Sequence, residues 1–195
     1  MPPTSRPSPH TGGVKTLRPL SPDDSPIVIR PATMADSAGI AVVRNAAVRE
    51  SLALWTDHEL SPGEAKAWLS PAVERRTALV AVERADGERR QDRVVAFAVA
   101  TPWHPYPGYA RTVEDSVYVA DGFEGRGIGR ALLTALIEAS RSAGDRTMVA
   151  AIESGNRTSV HLHERHGFVE VGTIPRAGEK LGQVLGLTLM YLPLS

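Results

Sequence analysis

The stretch VEDSVYVADGFEGRGIGRALL, residues Val113–Leu133, decides the fold of this chain. Its first part, Glu114–Val119, alternates polar residues with β-branched and aromatic ones, which predicts a strand. Three glycines then follow within five residues, Gly125, Gly127 and Gly129. After them, apolar residues recur at helical spacing and give one apolar face: Ile128, Ala131, Leu132, Ala135, Leu136 and Ala139. The pattern predicts a strand, a glycine-rich turn and a helix.

A turn of this kind is suited to bind a phosphate. It leads into a helix N-terminus, where backbone N–H groups are unpaired and the helix dipole is positive. The P-loop motif is excluded because no Gly-Lys-Ser/Thr ending is present. The dinucleotide fingerprint G-x-G-x-x-G is excluded because Arg130 stands at the third glycine. The alternative, a flexible loop with three glycines, is disfavoured because both the preceding strand and the following helix are predicted.

Composition narrows the class of protein. The 195 residues include 22 basic and 22 acidic ones, so no positive field predicts binding to nucleic acid or to an anionic membrane. The chain has no cysteine, which excludes disulfides, zinc–thiolate sites and a cysteine nucleophile and is compatible with the cytoplasm. The six histidines are scattered and predict no metal site. No apolar run is long enough to span a bilayer.

The order of the remaining patterns predicts a single domain. Residues 1–26 hold seven of the 15 prolines and no apolar signal segment, so they are predicted to be a disordered Pro/Ser-rich tail. In residues 27–195, strands and helices follow in the order β-α-α-β-β-β-α-β-α-β-β. This order predicts an α/β fold with a mixed central β-sheet flanked by helices. The continuous apolar run Val184–Leu192 predicts an internal strand of that sheet.

Several stretches of the chain together resemble the GNAT superfamily of N-acetyltransferases, and most closely its phosphinothricin acetyltransferase family. The turn Glu124–Gly129 is similar to the acetyl-CoA motif Q/R-x-x-G-x-G/A, although Glu124 stands where Gln or Arg is usual. The resemblance covers about Ile27–Leu194 and implies the GNAT fold, acetyl-CoA as co-substrate and a homodimer in the cytoplasm. The other stretches that carry it are Pro102–Trp103, Glu114–Val119, Asn156–Glu164 with Gly167–Phe168, and Arg176–Lys180.

The resemblance also implies which residues bind acetyl-CoA. The backbone amides of the glycine turn would meet the pyrophosphate, with Arg126 and Arg130 adding charge. The main chain of the strand would pair with the pantetheine arm. Asn156 would cap the next helix and also contact that arm. The predicted cofactor-binding residues are Val117, Tyr118, Val119, Arg126, Gly127, Ile128, Gly129, Arg130 and Asn156.

Two residues are predicted to be catalytic. Glu114 matches the catalytic Glu of the family and would take a proton from the amine, with its pKa raised from about 4.3 by burial or with a water relaying the proton. Its alternatives are a surface carboxylate or an ion pair with Arg111. His163 aligns with a Tyr that protonates the leaving thiolate, and an imidazole of pKa about 6.5 can donate to a thiolate near neutral pH. Its alternatives are to orient the thioester, to assist Glu114, or to pack against Phe168 or Tyr118.

The loop Trp103–Tyr109 leads into the strand that carries Glu114, so it is predicted to line the amine pocket. His104 is the only side chain of this loop that can be cationic near neutral pH, where the family commonly has basic residues, so neutral amines are expected to be preferred. The predicted function is acetyl transfer to the amine of a small amino acid or analogue. The alternatives are a larger amine, such as a polypeptide N-terminus, and a non-catalytic acyl-CoA-binding module. The predicted substrate-binding residues are Trp103, His104, Tyr106, Tyr109 and Arg111.

Overall fold

The computed structural model describes residues 15–17, 26–85 and 91–195. Within these ranges the strands form one mixed sheet in the order β1-β2-β3-β4-β5-β6-β8-β7. The strands are β1 (Lys15–Leu17), β2 (Ile27–Pro31), β3 (Ala78–Glu83), β4 (Arg93–Pro102), β5 (Thr112–Val119), β6 (Thr147–Glu153), β7 (Val169–Lys180) and β8 (Gln183–Pro193). The helices are α1 (Ser37–Glu50), α2 (Pro62–Glu74), α3 (Ile128–Ser142) and α4 (Arg157–Glu164). The predicted α/β fold is confirmed, and β8 is the internal strand that its apolar run predicted.

The sheet separates two hydrophobic cores, because alternate side chains of a strand point to opposite faces. On one face the strands pack against α3 and α4, with Leu132, Leu136 and Met190 fully buried. On the other face they pack against α1 and α2, with Phe97 and Leu69 fully buried. In the described part of the chain, no helix is long and apolar enough to cross a membrane.

Strands β5 and β6 lie next to each other in parallel but stay paired over only three positions. Thr112, Val113 and Glu114 of β5 pair with residues 147–149 of β6. Beyond Glu114, β5 goes on pairing with β4, and β6 goes on pairing with β8. The two strands therefore diverge after Glu114, and a cleft opens between them.

Local signals fix the ends of the helices that surround this cleft. At the start of α2, the Ser61 hydroxyl accepts a hydrogen bond from the Glu64 amide, and the Glu64 carboxylate accepts one from the Ser61 amide. This reciprocal pair is a capping box. At the start of α4, Asn156 is the N-cap residue, as predicted.

The structure corrects the prediction of a disordered tail at three residues. Lys15–Leu17 forms β1 and pairs antiparallel with Ile27–Ile29 of β2. The reason is that β2 would otherwise expose the unpaired N–H and C=O groups of a sheet edge. Backbone pairing of this kind needs no apolar side chains, which were the basis of the prediction. The other tail residues, 1–14 and 18–25, lie outside the described part.

Candidate active site

The cleft between the diverging strands has a volume of about 650 Å³. Its lining comes from β5 (residues 114–119), the glycine turn with the start of α3, β6 (residues 150–153), α4, the loop that joins α1 to α2, and Leu187 of β8. The cleft therefore collects residues from distant parts of the chain at the point where the sheet opens.

The glycine turn presents unpaired backbone donors to this cleft. Gly125 and Gly127 have φ angles of +71° and +76°, in the left-handed region that glycine adopts without a steric penalty. The first amide of α3 bonded within the helix is that of Ala131, which donates to the carbonyl of Gly127 at 3.0 Å. The amides of residues 128–130 precede it and have no helical carbonyl to bond. All three residues line the cleft, so a phosphate can accept hydrogen bonds from them.

The two arginines of the turn take different positions. Arg130 lines the cleft. Arg126 lies over the ring of Phe123, with its guanidinium carbon 5.3 Å from the ring centroid. Arg93 of β4 lies over the same ring at 5.4 Å, and the sequence analysis had not singled it out. Phe123 itself lines the cleft, so the ring carries two guanidinium groups next to the predicted phosphate site.

Asn156 can fill both of its predicted roles, because they use different atoms. Its side-chain oxygen accepts a hydrogen bond from the Ser159 amide at 3.0 Å and so caps α4. Its side chain also lines the cleft, where the NH₂ group can donate to a ligand. Val117, Tyr118 and Val119 line the cleft as well, along the part of β5 that has no partner in β6.

Glu114 lies at the last position where β5 and β6 still pair, and its side chain lines the cleft. Burial raises the pKa of the Glu114 carboxyl above its ordinary value, and the nearby charge of Asp115 raises it further. The alternative of an ion pair with Arg111 is not seen among the described residues. Arg111 is exposed and borders a second cavity together with Arg146. The carboxylate of Glu114 is thus a stronger base than an ordinary surface glutamate.

His163 is buried between α4 and β5, with 4% of its side chain exposed. Its Nδ1 donates to the Ser159 carbonyl at 2.7 Å, and its Nε2 donates to the carboxylate of Asp115 at 3.0 Å. Burial alone lowers the pKa of His163, but the hydrogen bond and charge of Asp115, with the Ser159 carbonyl, outweigh it and leave the pKa above its ordinary value. Phe168 packs edge-on against the ring at 4.9 Å, as one of the alternatives predicted.

Asp115 is a functional candidate that the sequence analysis missed. It lies on β5 between Val113 and Val117, on the face that packs against α3 and α4. A carboxylate in the middle of an apolar strand face needs a partner. That pattern, visible in the sequence, was the signal that could have paired it with a histidine of the following helices.

Glu114 and His163 approach the cleft from opposite faces of β5. Glu114 shares its face with Tyr118, whose ring stacks on Phe97 at 5.2 Å in the core below α1 and α2. Burial raises the pKa of Tyr118 to about 12, so its hydroxyl stays protonated. Both nitrogens of His163 are bonded elsewhere, to Ser159 and Asp115. A direct hydrogen bond from His163 to Glu114 is therefore not part of this arrangement.

The predicted acceptor loop lies beside the cleft rather than in its lining. The Trp103 amide donates to the Thr112 carbonyl at 3.1 Å, which places the loop at the same end of the sheet as Glu114. The ring of His104 packs on Tyr106 and Tyr109, at centroid distances of 5.8 and 5.1 Å, and both tyrosines are exposed. In this chain the rings thus pack on one another outside the cleft.

One part of the cleft lining is apolar and is formed by Ala53, Leu54 and Trp55, here called the apolar wall. These residues belong to the α1–α2 loop, residues 51–61, for which no function was predicted from the sequence. A large aromatic residue in a polar loop, Trp55, was the available signal. This wall is free of charged side chains.

Sheet, glycine turn and cleft together define an acyltransferase of the GNAT type, and comparison with known families agrees. The model of the Acetyltransferase (GNAT) family matches residues 42–168. The chain belongs to this family, which confirms the resemblance noted in the sequence.

Individual relatives match over most of the chain. An L-methionine sulfoximine/L-methionine sulfone acetyltransferase of Pseudomonas aeruginosa is 40% identical over 166 residues, covering 85% of this chain and 94% of the relative. A phosphinothricin N-acetyltransferase of Streptomyces coelicolor is 31% identical over 173 residues, covering 89% and 99%. An acetyltransferase of Salmonella typhimurium, solved with acetyl-CoA, has a TM-score of 0.77 at 36% identity, covering 87% of this chain and 94% of that chain.

Proposed function

We propose that this protein uses acetyl-CoA to acetylate the α-amine of a small neutral amino acid, of the methionine sulfone type. The observation that carries the proposal is a single cleft that joins a phosphate-binding helix N-terminus to a carboxylate of raised pKa, Glu114. The relatives described above support the choice of co-substrate and acceptor. The proposal includes a cytoplasmic location, because acetyl-CoA is made inside cells.

The residues along the cleft fit coenzyme A. The free amides of Ile128, Gly129 and Arg130 suit the pyrophosphate, with Arg130 adding a positive charge. The unpaired edge of β5 suits the amide groups of the pantetheine arm, and the NH₂ group of Asn156 suits a carbonyl of that arm. The acetyl group would then lie near Glu114, where the strands part.

Bound acetyl-CoA supplies a thioester, and in the reaction a C–N bond forms at its carbonyl carbon while the C–S bond breaks. Glu114 takes the proton that the ammonium group must lose before or during attack, directly or through one water. His163, whose pKa is held above its ordinary value by Asp115 against the effect of burial, would in its imidazolium form stabilise the negative charge that develops on the leaving sulfur. The ammonium group loses two protons on its way to the amide: the leaving sulfur takes up one, and Glu114 passes the other to solvent.

The apolar wall favours acceptor amino acids whose side chains carry no charge. Ala53, Leu54 and Trp55 line the same cleft as Glu114 and Tyr118, and none of the three has a positive charge to pair with an anionic side chain. Side chains without charge, such as those of methionine sulfone or leucine, therefore suit this wall better than the phosphinate of phosphinothricin.

Thiol release from acetyl-CoA, measured with a panel of amino acids, tests the proposal. Methionine sulfone should exceed phosphinothricin in kcat/KM. Glu114→Gln should lower kcat/KM by about 10²–10⁴-fold, the usual worth of a general base, at unchanged affinity for acetyl-CoA. Glu138→Gln, at an exposed carboxylate of α3, is the matched control. Full activity of Glu114→Gln, or no thiol release with any amino acid, would refute the proposal.

The homodimer that the resemblance implies is also a proposal. The β7–β8 hairpin exposes apolar side chains that a second copy of the chain would cover. A sedimentation mass near that of one 20.9 kDa chain would contradict a dimer under the conditions used. The exposed side chains are Val169, Val171, Ile174 and Val184, each at least 50% exposed.

A further inference from the structure

A buried lysine holds the α1–α2 loop against β7. Lys180 is the last residue of β7, and only 3% of its side chain is exposed. Its ammonium group donates to the Thr56 carbonyl and to the Asp57 carboxylate, the latter at 2.6 Å. A buried ammonium is costly unless it is paired, and both partners come from this loop. Asp57 is itself 96% exposed, so the loop closes over the lysine from the solvent side.

The two halves of this loop are fixed in different ways. Its second half is bonded to α1, since the Asn45 side chain bonds both the amide and the carbonyl of Leu60, and Arg49 pairs with Glu59 at 2.6 Å. Residues 53–57 contain the wall of the cleft. In the described part of the chain, the hydrogen bonds recorded from these residues to positions outside the loop run to Lys180. The position of the wall thus depends on one side chain of β7.

Gly178, in the same strand β7, leaves the space that the indole ring of Trp55 occupies. A Cβ atom at Gly178 would overlap Cε3 of Trp55 and lie 2.6 Å from its Cζ3, so a side chain there would displace the indole. The indole N–H donates to the Leu52 carbonyl at 2.7 Å, which fixes the ring within its own loop. Glycine is needed here for space, because the backbone at Gly178 is not in the left-handed region.

We propose that Lys180 and Gly178 are positioning residues for the acceptor. They hold Trp55 and its neighbours at the distance from Glu114 that seats the side chain of the amino acid. The proposal rests on the proposed function, because it assigns the acceptor to this wall. Neither residue lines the cleft, so both act through the loop.

The variants Lys180→Met and Gly178→Ala test this, with Lys66→Met, at an exposed lysine of α2, as the matched control. Both test variants should raise the KM for the acceptor by about tenfold to a hundredfold, the effect of a small misplacement at a reacting centre. The affinity for acetyl-CoA, measured by calorimetry, should stay at the wild-type value. Should Lys180→Met fail to fold, Gly178→Ala still carries the test, since it leaves the buried ammonium paired.

Hydrogen exchange separates this proposal from a purely structural role and from the proposed function. In Lys180→Met, exchange should speed up in residues 53–57 and stay unchanged in residues 58–60, which α1 holds. Unchanged exchange at 53–57, or a KM equal to that of Lys66→Met, would overturn the positioning role. Failure of the wild-type enzyme to acetylate any amino acid would instead overturn the proposed function, while the exchange experiment would still decide whether Lys180 anchors the loop.

Discussion

Replacement of Asp115 by Asn should destabilise this protein in a manner that depends on pH. Asp115 and His163 are both buried, and their hydrogen bond links β5 to α4. The paired carboxylate raises the pKa of His163 against the effect of burial. The pair therefore contributes its full stability below the pKa of an unfolded histidine, about 6.5, and loses it as the pH rises through the raised pKa of the folded state.

The expected size follows from the chemistry of a buried imidazolium. At pH 5.5 the variant must either bury this charge without its counter-ion or neutralise it, and neutralisation alone costs about 1.4 kcal/mol because the unfolded pKa lies one unit higher. With the lost ion pair included, we expect the free energy of unfolding to fall by about 3 kcal/mol, at the lower end of the values for broken buried ion pairs. As the pH rises through the raised pKa of the folded state the imidazole loses its proton, and the expected loss falls toward about 1 kcal/mol for the altered hydrogen bond.

Urea unfolding of wild type and Asp115→Asn at pH 5.5 and 8.5 measures this difference. Asp121→Asn, at an exposed carboxylate next to the glycine turn, is the control and should show no such dependence. An NMR titration of the His163 ring should give a lower pKa in Asp115→Asn than in the wild type. An equal loss of stability at pH 5.5 and 8.5 would refute the reasoning, as would an unchanged titration of the ring.

Three further predictions concern the turn, the base and the added strand. Gly127→Asp puts a carboxylate at a left-handed position of the phosphate site, so calorimetry should show at least a tenfold loss of acetyl-CoA affinity, about 1.4 kcal/mol. Gly144→Asp, at a left-handed glycine beyond the other end of α3 where a new Cβ meets nothing within 4 Å, is the control and should keep the affinity. The kcat/KM of the wild type should fall as the pH drops through the raised pKa of Glu114, at a pH above the ordinary 4.5, and Glu114→Gln should lack this limb. Deletion of residues 1–17 removes β1 and should cost about 1–2 kcal/mol in urea unfolding, whereas deletion of residues 1–14 should cost nothing measurable.

The parts of the fold that the sequence predicted are those set by neighbouring residues. The turn Gly125–Gly129 and the cap of α4 at Asn156 each depend on residues a few positions apart. A pattern of that kind can be recognised without knowing the tertiary structure. The same holds for β8, whose continuous apolar run predicts an internal strand of the sheet.

Such local patterns do not predict contacts between segments that are far apart in the sequence. The partner of His163 is 48 residues away along the chain, and that of Lys180 is 123 residues away. The acceptor wall was predicted at Trp103–Tyr109 because that loop precedes β5. In the structure the cleft is lined by Trp55 and its neighbours, in the α1–α2 loop that Lys180 contacts from β7. Nothing in the local sequence around Trp55 specifies this contact.

Because β5 and β6 pair at only three positions, the sheet consists of two groups of strands with few hydrogen bonds between them. One group is β1–β5 and the other is β6–β8–β7, and they are joined at Thr112–Glu114. A ligand in the cleft would contact both groups and so link them. Ligand binding should therefore raise the free energy of unfolding, and the bound ligand contributes to holding the two groups of strands together.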